Sequence, residues 1–173
     1  MERYDVFDAA GRPLNKRYRR GQMPQLGEYM PVIHVWLRRH DDTFLIQQRA
    51  KTSDPTPYQW ATTTGLPNAG ETFLAAAQRE THEELGLNFP LLAFQKIRTV
   101  TTHTGRYQTH TQVYLVELTE HDPSLHVNPS EVQQTAYLTL CEIQQKIRQG
   151  TFWDYPMLLN DVMYFSALEE VMR

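Results

Sequence analysis

One stretch of the chain, residues 65–87 (GLPNAGETFLAAAQRETHEELGL), constrains the fold more than any other. A loop that contains glycine runs there into good helix formers, and neither glycine nor proline interrupts them before Gly86. Thr72 is a residue type that often caps a helix N-terminus, and glycine often follows a helix C-terminus. The stretch therefore predicts a loop followed by a helix over residues 74–85.

The predicted helix has two different faces. At about 100° per residue, one stripe can pack on a core and consists of Leu74, Ala77, Thr81 and Leu85. Glu80, Glu83 and Glu84 form a second stripe roughly 120° away, outside the core-facing one. Like charges three and four residues apart repel, so this cluster favours a counter-charge. A hard divalent cation such as Mg²⁺ suits it, because such ions prefer carboxylate oxygens and are often completed by substrate phosphates.

The spacing of these residues resembles the Nudix box. The pattern G-x5-E-x7-R-E-x-x-E-E-x-G is formed by Gly65, Glu71, Arg79, Glu80, Glu83, Glu84 and Gly86. Seven fixed positions match by chance in fewer than about one in a million chains of this length. The spacing thus disfavours an ordinary acidic surface helix. One position departs from the family pattern, because Thr81 stands where an aliphatic residue is usual.

The resemblance implies a metal-dependent hydrolase that cleaves a nucleoside diphosphate linked to another moiety. It implies Mg²⁺ or Mn²⁺ ions at the carboxylates of Glu80, Glu83 and Glu84, with the backbone carbonyl of Gly65 as a further ligand. It also implies that Arg79 pairs with Glu71 and braces the loop against the helix.

The general base is left open by the sequence. Glu80 and Glu84 are candidates, because either carboxylate could accept a proton from water. Members of the family also recruit a glutamate from a later loop, and Glu131 is the best-placed acid there. Glu131 could equally cap a helix or face solvent.

Two groups of cations lie outside the box. Residues 49–58 contain two prolines and few apolar side chains, which predicts a loop just before the box. Arg49 and Lys51 in that loop are candidates to bind substrate phosphates, or they are ordinary surface charges. The cluster KRYRRG at residues 16–21 either contacts RNA or belongs to a solvated edge strand.

The rest of the pattern predicts an α/β fold in a single domain over residues 1–173, with a mixed β-sheet sandwiched between α-helices. A short β-hairpin extension is expected within residues 1–28. The further predicted elements are hairpins over 31–38 with 43–48 and over 91–102 with 107–118, a strand over 135–138, a helix over 140–148 and a C-terminal helix over about 156–172 that starts near Pro156.

Outside the box, residues 4–145 resemble the branch of the family that includes isopentenyl-diphosphate isomerase. Those isomerases protonate their substrate with a cysteine directly before the box glycine, where this chain has Thr64. Two of their histidine ligands correspond to Leu66 and a position near Met30. The hydroxyl of Thr64 is too weak an acid to replace the cysteine that protonates the substrate in the isomerases. We therefore expect hydrolysis. The alternatives are isomerisation, a regulatory module that binds a diphosphate without turnover, and an RNA-end pyrophosphohydrolase.

Composition limits the other function classes. The 173 residues suffice for one core, and a net charge of −3 gives no general reason to expect nucleic-acid or membrane binding. No run of 18 apolar residues is present, and Cys141 is the only cysteine, so an intrachain disulfide is excluded. We expect a cytoplasmic protein with a small diphosphate as its partner. Apolar residues at 152–157 leave a homodimer open.

Overall fold

The computed structural model describes residues 2–50, 56–104, 107–118, 124–153 and 162–172. The described elements are β1 (Arg3–Phe7), β2 (Pro13–Arg19), β3 (Met30–Arg38), β4 (Phe44–Arg49), β5 (Trp60–Ala61), β6 (Thr63–Gly65), α1 (Phe73–Leu85), β7 (Gln95–Thr104), β8 (Tyr107–Glu117), β9 (Val132–Leu138), α2 (Leu140–Arg148) and α3 (Val162–Val171).

Seven of these strands form one mixed sheet. Its main order is β5-β4-β3-β8-β7, while β6 also pairs with β3 and β9 also pairs with β4. Strands β3 and β8 are parallel, and every other pair is antiparallel. The predicted hairpin of β3 and β4 exists only at its closed end, at Leu37 and Arg38, because β6 pairs with β3 over Ile33–Val35.

Alternation along β3 builds a hydrophobic layer on each face of the sheet. Ile33, Val35 and Leu37 face α1 and are buried with its apolar stripe. Trp36 faces the opposite way and packs with residues of α2 and α3. Because successive side chains of a strand point to opposite faces, one central strand serves both layers. The structure thus confirms the predicted mixed sheet between helices.

Helix α1 begins and ends as its sequence predicts. The Thr72 side chain accepts a hydrogen bond from the Ala75 N–H at 3.1 Å. Gly86 takes the left-handed conformation that ends many helices, with φ of 72°. Thr81, the departure from the family pattern, is buried and donates its hydroxyl to the Ala77 carbonyl at 2.7 Å. The helix therefore accommodates this polar side chain without leaving its hydroxyl unpaired.

The N-terminal hairpin of β1 and β2 is a separate two-stranded sheet that docks on the loop before α1. Backbone hydrogen bonds of 3.0 and 2.8 Å join Phe7 to Tyr29. The Arg3 carbonyl accepts from the Ala69 N–H at 2.8 Å, and the Asp5 carboxylate accepts from the Gly70 N–H at 2.7 Å. The hairpin therefore helps to hold the loop that carries the first half of the box.

Most of the basic cluster at residues 16–20 is paired with acids. Lys16 contacts Glu28 at 2.5 Å, and Arg17 contacts Asp5 at 2.8 Å. Arg20 contacts Glu2 at 2.5 Å, and the two residues line the cleft described below. These pairs support the reading of the cluster as an edge strand over the reading as an RNA-binding patch.

The starts of two strands differ from the sequence prediction. Leu91–Ala93 forms a 3₁₀ turn after Pro90, so β7 begins only at Gln95. Strand β9 begins at Val132, three residues before the predicted start. The sequence pattern missed this part of the strand because Gln133 and Gln134 are exposed and interrupt the apolar alternation. The described part of the C-terminal helix is Val162–Val171, and the predicted start at Pro156 lies outside the described residues.

A buried hydrogen-bond cluster ties α3 to the sheet. The hydroxyl of Tyr164 accepts from Trp36 Nε1 and bonds His34 Nδ1, both at 2.8 Å. Burial lowers the pKa of His34 to about 3, so the imidazole is neutral over the ordinary pH range.

Among the described residues, no helix combines the length and apolarity that crossing a bilayer requires.

We expect Tyr164→Phe to lower the free energy of unfolding by about 1–3 kcal/mol, because the substitution leaves the buried Trp36 N–H without its acceptor. Urea denaturation measures this change. Tyr58→Phe is the matched control, since that ring is 48% exposed, and it should change stability by less than about 0.5 kcal/mol. Equal effects of the two substitutions would contradict the role of the cluster.

Candidate active site

Two of the three α1 carboxylates are buried, which corrects the expectation that their stripe lies outside the packed face. Glu80 is 4% exposed and Glu84 is 5% exposed, whereas the Glu83 side chain is 48% exposed. Strand β6 lies against Glu80, and the segment before β9 lies against the end of α1, where the Asn128 N–H donates to the Glu84 carbonyl at 3.0 Å. The packed face of α1 is therefore wider than its apolar stripe.

These carboxylates line an open cleft of about 520 Å³, a size that suits a small-molecule ligand. Its lining comes from the N-terminal hairpin region (Glu2, Arg20), β4 (Gln47, Arg49), β6 and the loop after it (Thr64, Asn68), α1 (Arg79, Glu80, Glu83, Glu84) and the turn before β9 (Ser130, Glu131). The cleft thus brings together residues from five parts of the chain, and charged side chains of both signs are among them.

Arg79 binds three carboxylates at once. Its Nε and Nη2 atoms donate to the two oxygens of Glu71 at 2.9 Å, which is the pair that the family resemblance implies. Its Nη1 atom donates to Glu80 and to Glu83, each at 2.9 Å. Its Nη2 atom also reaches the Leu66 carbonyl at 3.1 Å. Arg79 therefore braces the loop and supplies part of the counter-charge that the acidic cluster requires.

The buried carboxylates hold their protons more tightly than free glutamate. Burial raises the pKa of Glu80 to about 7, against the opposing charge of Arg79. Burial raises the pKa of Glu84 well above its usual range, and the neighbouring charge of Glu80 adds to this effect. The Gln47 amide donates to Glu84 at 2.7 Å and opposes the rise. The pair is costly to ionise, and a cation in front of it would lower that cost.

The donor set on this wall fits a hard divalent cation. The α1 glutamates offer carboxylate oxygens, which Mg²⁺ and Mn²⁺ prefer. At Gly65, a Cβ atom would lie only 2.2 Å from the carboxylate carbon of Glu80, so glycine alone leaves room for this carboxylate beside β6. The Oε1 atom of Gln47 is buried and has no hydrogen-bond partner among the described residues.

The carboxylates of Glu80, Glu83 and Glu84 do not converge on one point in the described structure. Within the described ranges, no three Asp, Glu, His or Cys side chains are close enough to hold one ion. Arg79 lies between two of them, because its Nη1 atom donates to both Glu80 and Glu83. A cation that binds Glu83 must therefore compete with Arg79 for that carboxylate.

The sequence analysis also named Arg49, Lys51 and Glu131 as site residues. Glu131 and Arg49 line the cleft, and the Arg49 guanidinium also lies 4.7 Å from the centre of the Trp153 ring. Lys51 lies outside the described residues. Of the apolar residues considered for a subunit interface, Phe152 is buried in the core.

Several residues of the cleft were missed from the sequence, among them Gln47, Glu2, Asn68 and Ser130. Gln47 lies two residues before Arg49 on β4, so the strand period of two could have placed both on one face. Arg20 was considered only as part of a basic cluster. Glu2 carries no sequence signal, because it reaches the cleft only through the docking of the N-terminal hairpin.

The family model described as the NUDIX domain matches residues 28–160, and the chain belongs to this family. Nudix hydrolase 3 of Arabidopsis thaliana is 34% identical over 125 residues, which are 68% of this chain and 16% of that protein. An isopentenyl-diphosphate Delta-isomerase of Streptomyces griseus is 31% identical over 141 residues, which are 78% of this chain and 70% of that protein. The predicted relation to the isomerase branch is thus confirmed.

Solved structures agree on the fold. DR0079 of Deinococcus radiodurans has a TM-score of 0.76 and 21% identity, with 92% of this chain and 98% of that chain covered. A bifunctional NMN adenylyltransferase/ADP ribose pyrophosphatase of Francisella tularensis, complexed with AMP and Mn ion, has a TM-score of 0.60 and 17% identity, with 83% and 42% covered. At these identities the likeness shows the Nudix fold alone.

The raised pKa of Glu80 predicts a pH-dependent stability of the metal-free protein. Its folded-state pKa of about 7 exceeds the ordinary 4.5, so its stabilising contribution is full below pH 4.5 and is lost as the pH rises through 7. Glu80→Gln removes this loss and should be more stable than wild type at pH 8, by on the order of 1–3 kcal/mol. Urea denaturation in EDTA at pH 5 and pH 8 measures the difference in unfolding free energy between Glu80→Gln and wild type. This difference should be smaller at pH 5 than at pH 8, and equal differences at the two pH values would contradict the prediction.

The close approach at Gly65 predicts a coupled pair of substitutions. Gly65→Ala should destabilise the protein by about 1–3 kcal/mol, because the new methyl group overlaps the Glu80 carboxylate. In a Glu80→Ala background the same substitution should cost clearly less. Thermal or urea denaturation of the four proteins gives the coupling energy, and equal costs in both backgrounds would show that the overlap lies elsewhere.

Proposed function

We propose that this chain hydrolyses a diphosphate linkage in a small substrate, a nucleoside diphosphate joined to another group or a related diphosphate, with Mg²⁺ or Mn²⁺. The observation that carries this proposal is the pair of buried carboxylates, Glu80 and Glu84, at the wall of an open cleft that also exposes Arg20 and Arg49. A diphosphate would supply the negative charge that the arginines bind, and the glutamates would hold the cation that neutralises it.

The metal ions would be held by Glu80, Glu83 and Glu84, with the backbone carbonyl of Gly65 as a further ligand. When bound, such an ion neutralises charge on the phosphates and lowers the pKa of a coordinated water. The Mn ion in the Francisella structure supports this choice of metal by analogy of fold. Arg79 keeps Glu80 in place from the side, through its hydrogen bond of 2.9 Å.

The substrate phosphates would be bound by Arg49, with Lys51 as a second candidate on the same segment. The cation–π contact of Arg49 with Trp153 restricts the guanidinium, so less side-chain entropy is lost when a phosphate binds. Arg20 lines the same cleft from the hairpin region and offers a further guanidinium, which Glu2 shares in the absence of substrate.

Glu131 is the general base in this proposal. Glu131 lines the cleft from the turn before β9, on an element separate from the candidate metal ligands of α1. It takes a proton from the attacking water while the new P–O bond forms and the bridging P–O bond breaks. Glu80 and Glu84 are the alternative bases.

The isomerase-named relatives make isomerisation the rival reaction. Thr64, at the position of the isomerase cysteine, donates its hydroxyl to the Ile33 carbonyl at 2.9 Å. That hydrogen bond directs the hydroxyl proton to the backbone of β3, and a hydroxyl is in any case a weak acid. This geometry supports hydrolysis over isomerisation.

A panel of diphosphates tests the proposal, with ADP-ribose, nucleoside diphosphate sugars and isopentenyl diphosphate as probes, Mg²⁺ or Mn²⁺ present, and products identified by mass spectrometry. We expect metal-dependent cleavage of a phosphoanhydride bond. Glu84→Gln should lower turnover at least about 100-fold, because it removes a charged metal ligand. Its circular dichroism spectrum and melting temperature should show a folded protein.

The other outcomes separate the alternatives. Conversion of isopentenyl diphosphate to its isomer would establish the rival reaction. Tight binding of ADP-ribose without turnover, unaffected by Mg²⁺ and by Glu84→Gln, would identify a binding module. Asp41→Asn is a control for the loss of one carboxylate, since Asp41 lies in the exposed turn between β3 and β4 and should leave turnover unchanged.

A further inference from the structure

We infer that Asn128 is a positioning residue for the reaction: it links the carbonyl of Glu84 at the end of α1 to the carboxylate of Glu131, a residue that lines the cleft, and fixes one oxygen of that carboxylate. This inference rests on the proposed function, because it takes Glu131 as the general base. Asn128 itself does not line the cleft, so it acts through Glu131.

The backbone of Asn128 fixes the turn against the catalytic helix. Its N–H donates to the Glu84 carbonyl at 3.0 Å, and two residues earlier the His126 N–H donates to the Leu85 carbonyl at 2.9 Å. Both carbonyls belong to the last turn of α1, whose acceptors have no partner within the helix. The turn is therefore anchored on the helix that carries Glu80 and Glu84.

The carbonyl of Asn128 orders the residues that follow it. It accepts from the Glu131 N–H at 3.0 Å and from the Val132 N–H at 2.8 Å, while the Ala50 N–H donates to the Glu131 carbonyl at 2.8 Å. The main chain of Glu131 is thus held on both sides at the start of β9. What remains to be fixed is the direction of its side chain.

The side chain of Asn128 supplies that direction. Its Oδ1 atom accepts from the Ser130 N–H at 3.1 Å and from the Ser130 hydroxyl at 2.6 Å, and its Nδ2 atom donates to Glu131 Oε1 at 3.0 Å. The amide can adopt only this orientation, because a backbone N–H can only donate and an ionised carboxylate can only accept. Asn128 therefore couples the turn geometry to one chosen oxygen of Glu131.

Asparagine is the residue type that this position requires. Aspartate would keep the acceptor for Ser130 but would turn a second negative charge toward Glu131. Serine would keep a short acceptor for the Ser130 N–H but would lack the donor. Asn128→Asp thus changes the contact with Glu131 while it preserves the turn, which makes it a selective test.

The test measures kcat and KM for the panel substrate with the highest turnover, and the Kd of Mn²⁺ by calorimetry. Asn128→Asp should lower kcat about 10- to 100-fold, a fraction of the 10²- to 10⁴-fold that a general base contributes. KM and the Kd of Mn²⁺ should stay within about twofold of wild type, since the substrate arginines and the α1 carboxylates are untouched. Asn88→Asp, which adds the same charge at an exposed site outside the cleft, should leave kcat unchanged.

A double-mutant cycle separates positioning from a merely structural role. In a Glu131→Gln background, Asn128→Asp should change kcat by less than about twofold, because no base remains to be positioned. An equal loss of kcat in both backgrounds would overturn the inference. Should Asn128→Asp fail to fold, Asn128→Ser replaces it with the same expected pattern.

The failure of the inference is distinguishable from the failure of the proposed function. If Glu131→Gln leaves kcat unchanged while Glu84→Gln abolishes turnover, hydrolysis stands and the role of Asn128 is overturned. If wild-type protein turns over no diphosphate of the panel, the proposed function is overturned, and the inference with it.

Discussion

The structure depends on the burial of two like charges, Glu80 and Glu84, between a helix and the edge of a strand. Such burial is unfavourable for a carboxylate pair unless nearby groups compensate it. Arg79 compensates Glu80 from one side, and Gln47 donates to Glu84 from another. The compensation is incomplete, since burial still raises the pKa of both carboxyl groups. A bound cation stabilises ionised carboxylates most strongly where they are buried and otherwise unfavourable to ionise, as this pair is at the wall of the cleft.

Several distant parts of the chain meet at this pair. Gly65 at the end of β6 gives the Glu80 carboxylate its room, and the turn around Asn128 closes over the end of α1. The N-terminal hairpin docks on the loop before the helix and brings Arg20 to the cleft. The hairpin begins before the span that the family model matches, so the cleft of this chain is built partly from residues outside that span.

Local features of the site followed from the sequence, while long-range ones did not. The cap at Thr72, the stop at Gly86 and the alternation in β3 depend on neighbouring residues, so their patterns are visible in one chain. The contacts of Glu84 with Gln47 and Asn128 join residues that are far apart in the sequence, so its burial has no local pattern. The sharing of Arg79 between two carboxylates likewise needs side-chain positions that spacing alone does not give.

The most direct test of the central claim is a calorimetric titration of the metal-free protein with Mn²⁺ at pH 7 in two buffers of different ionisation enthalpy. We predict binding with release of protons, because burial raises the pKa of Glu80 to about 7 and raises the pKa of Glu84, and carboxyl groups must be ionised to become ligands. Glu80→Gln with Glu84→Gln should abolish both the binding and the proton release. Binding of Mn²⁺ that is unchanged in this double variant would contradict the account.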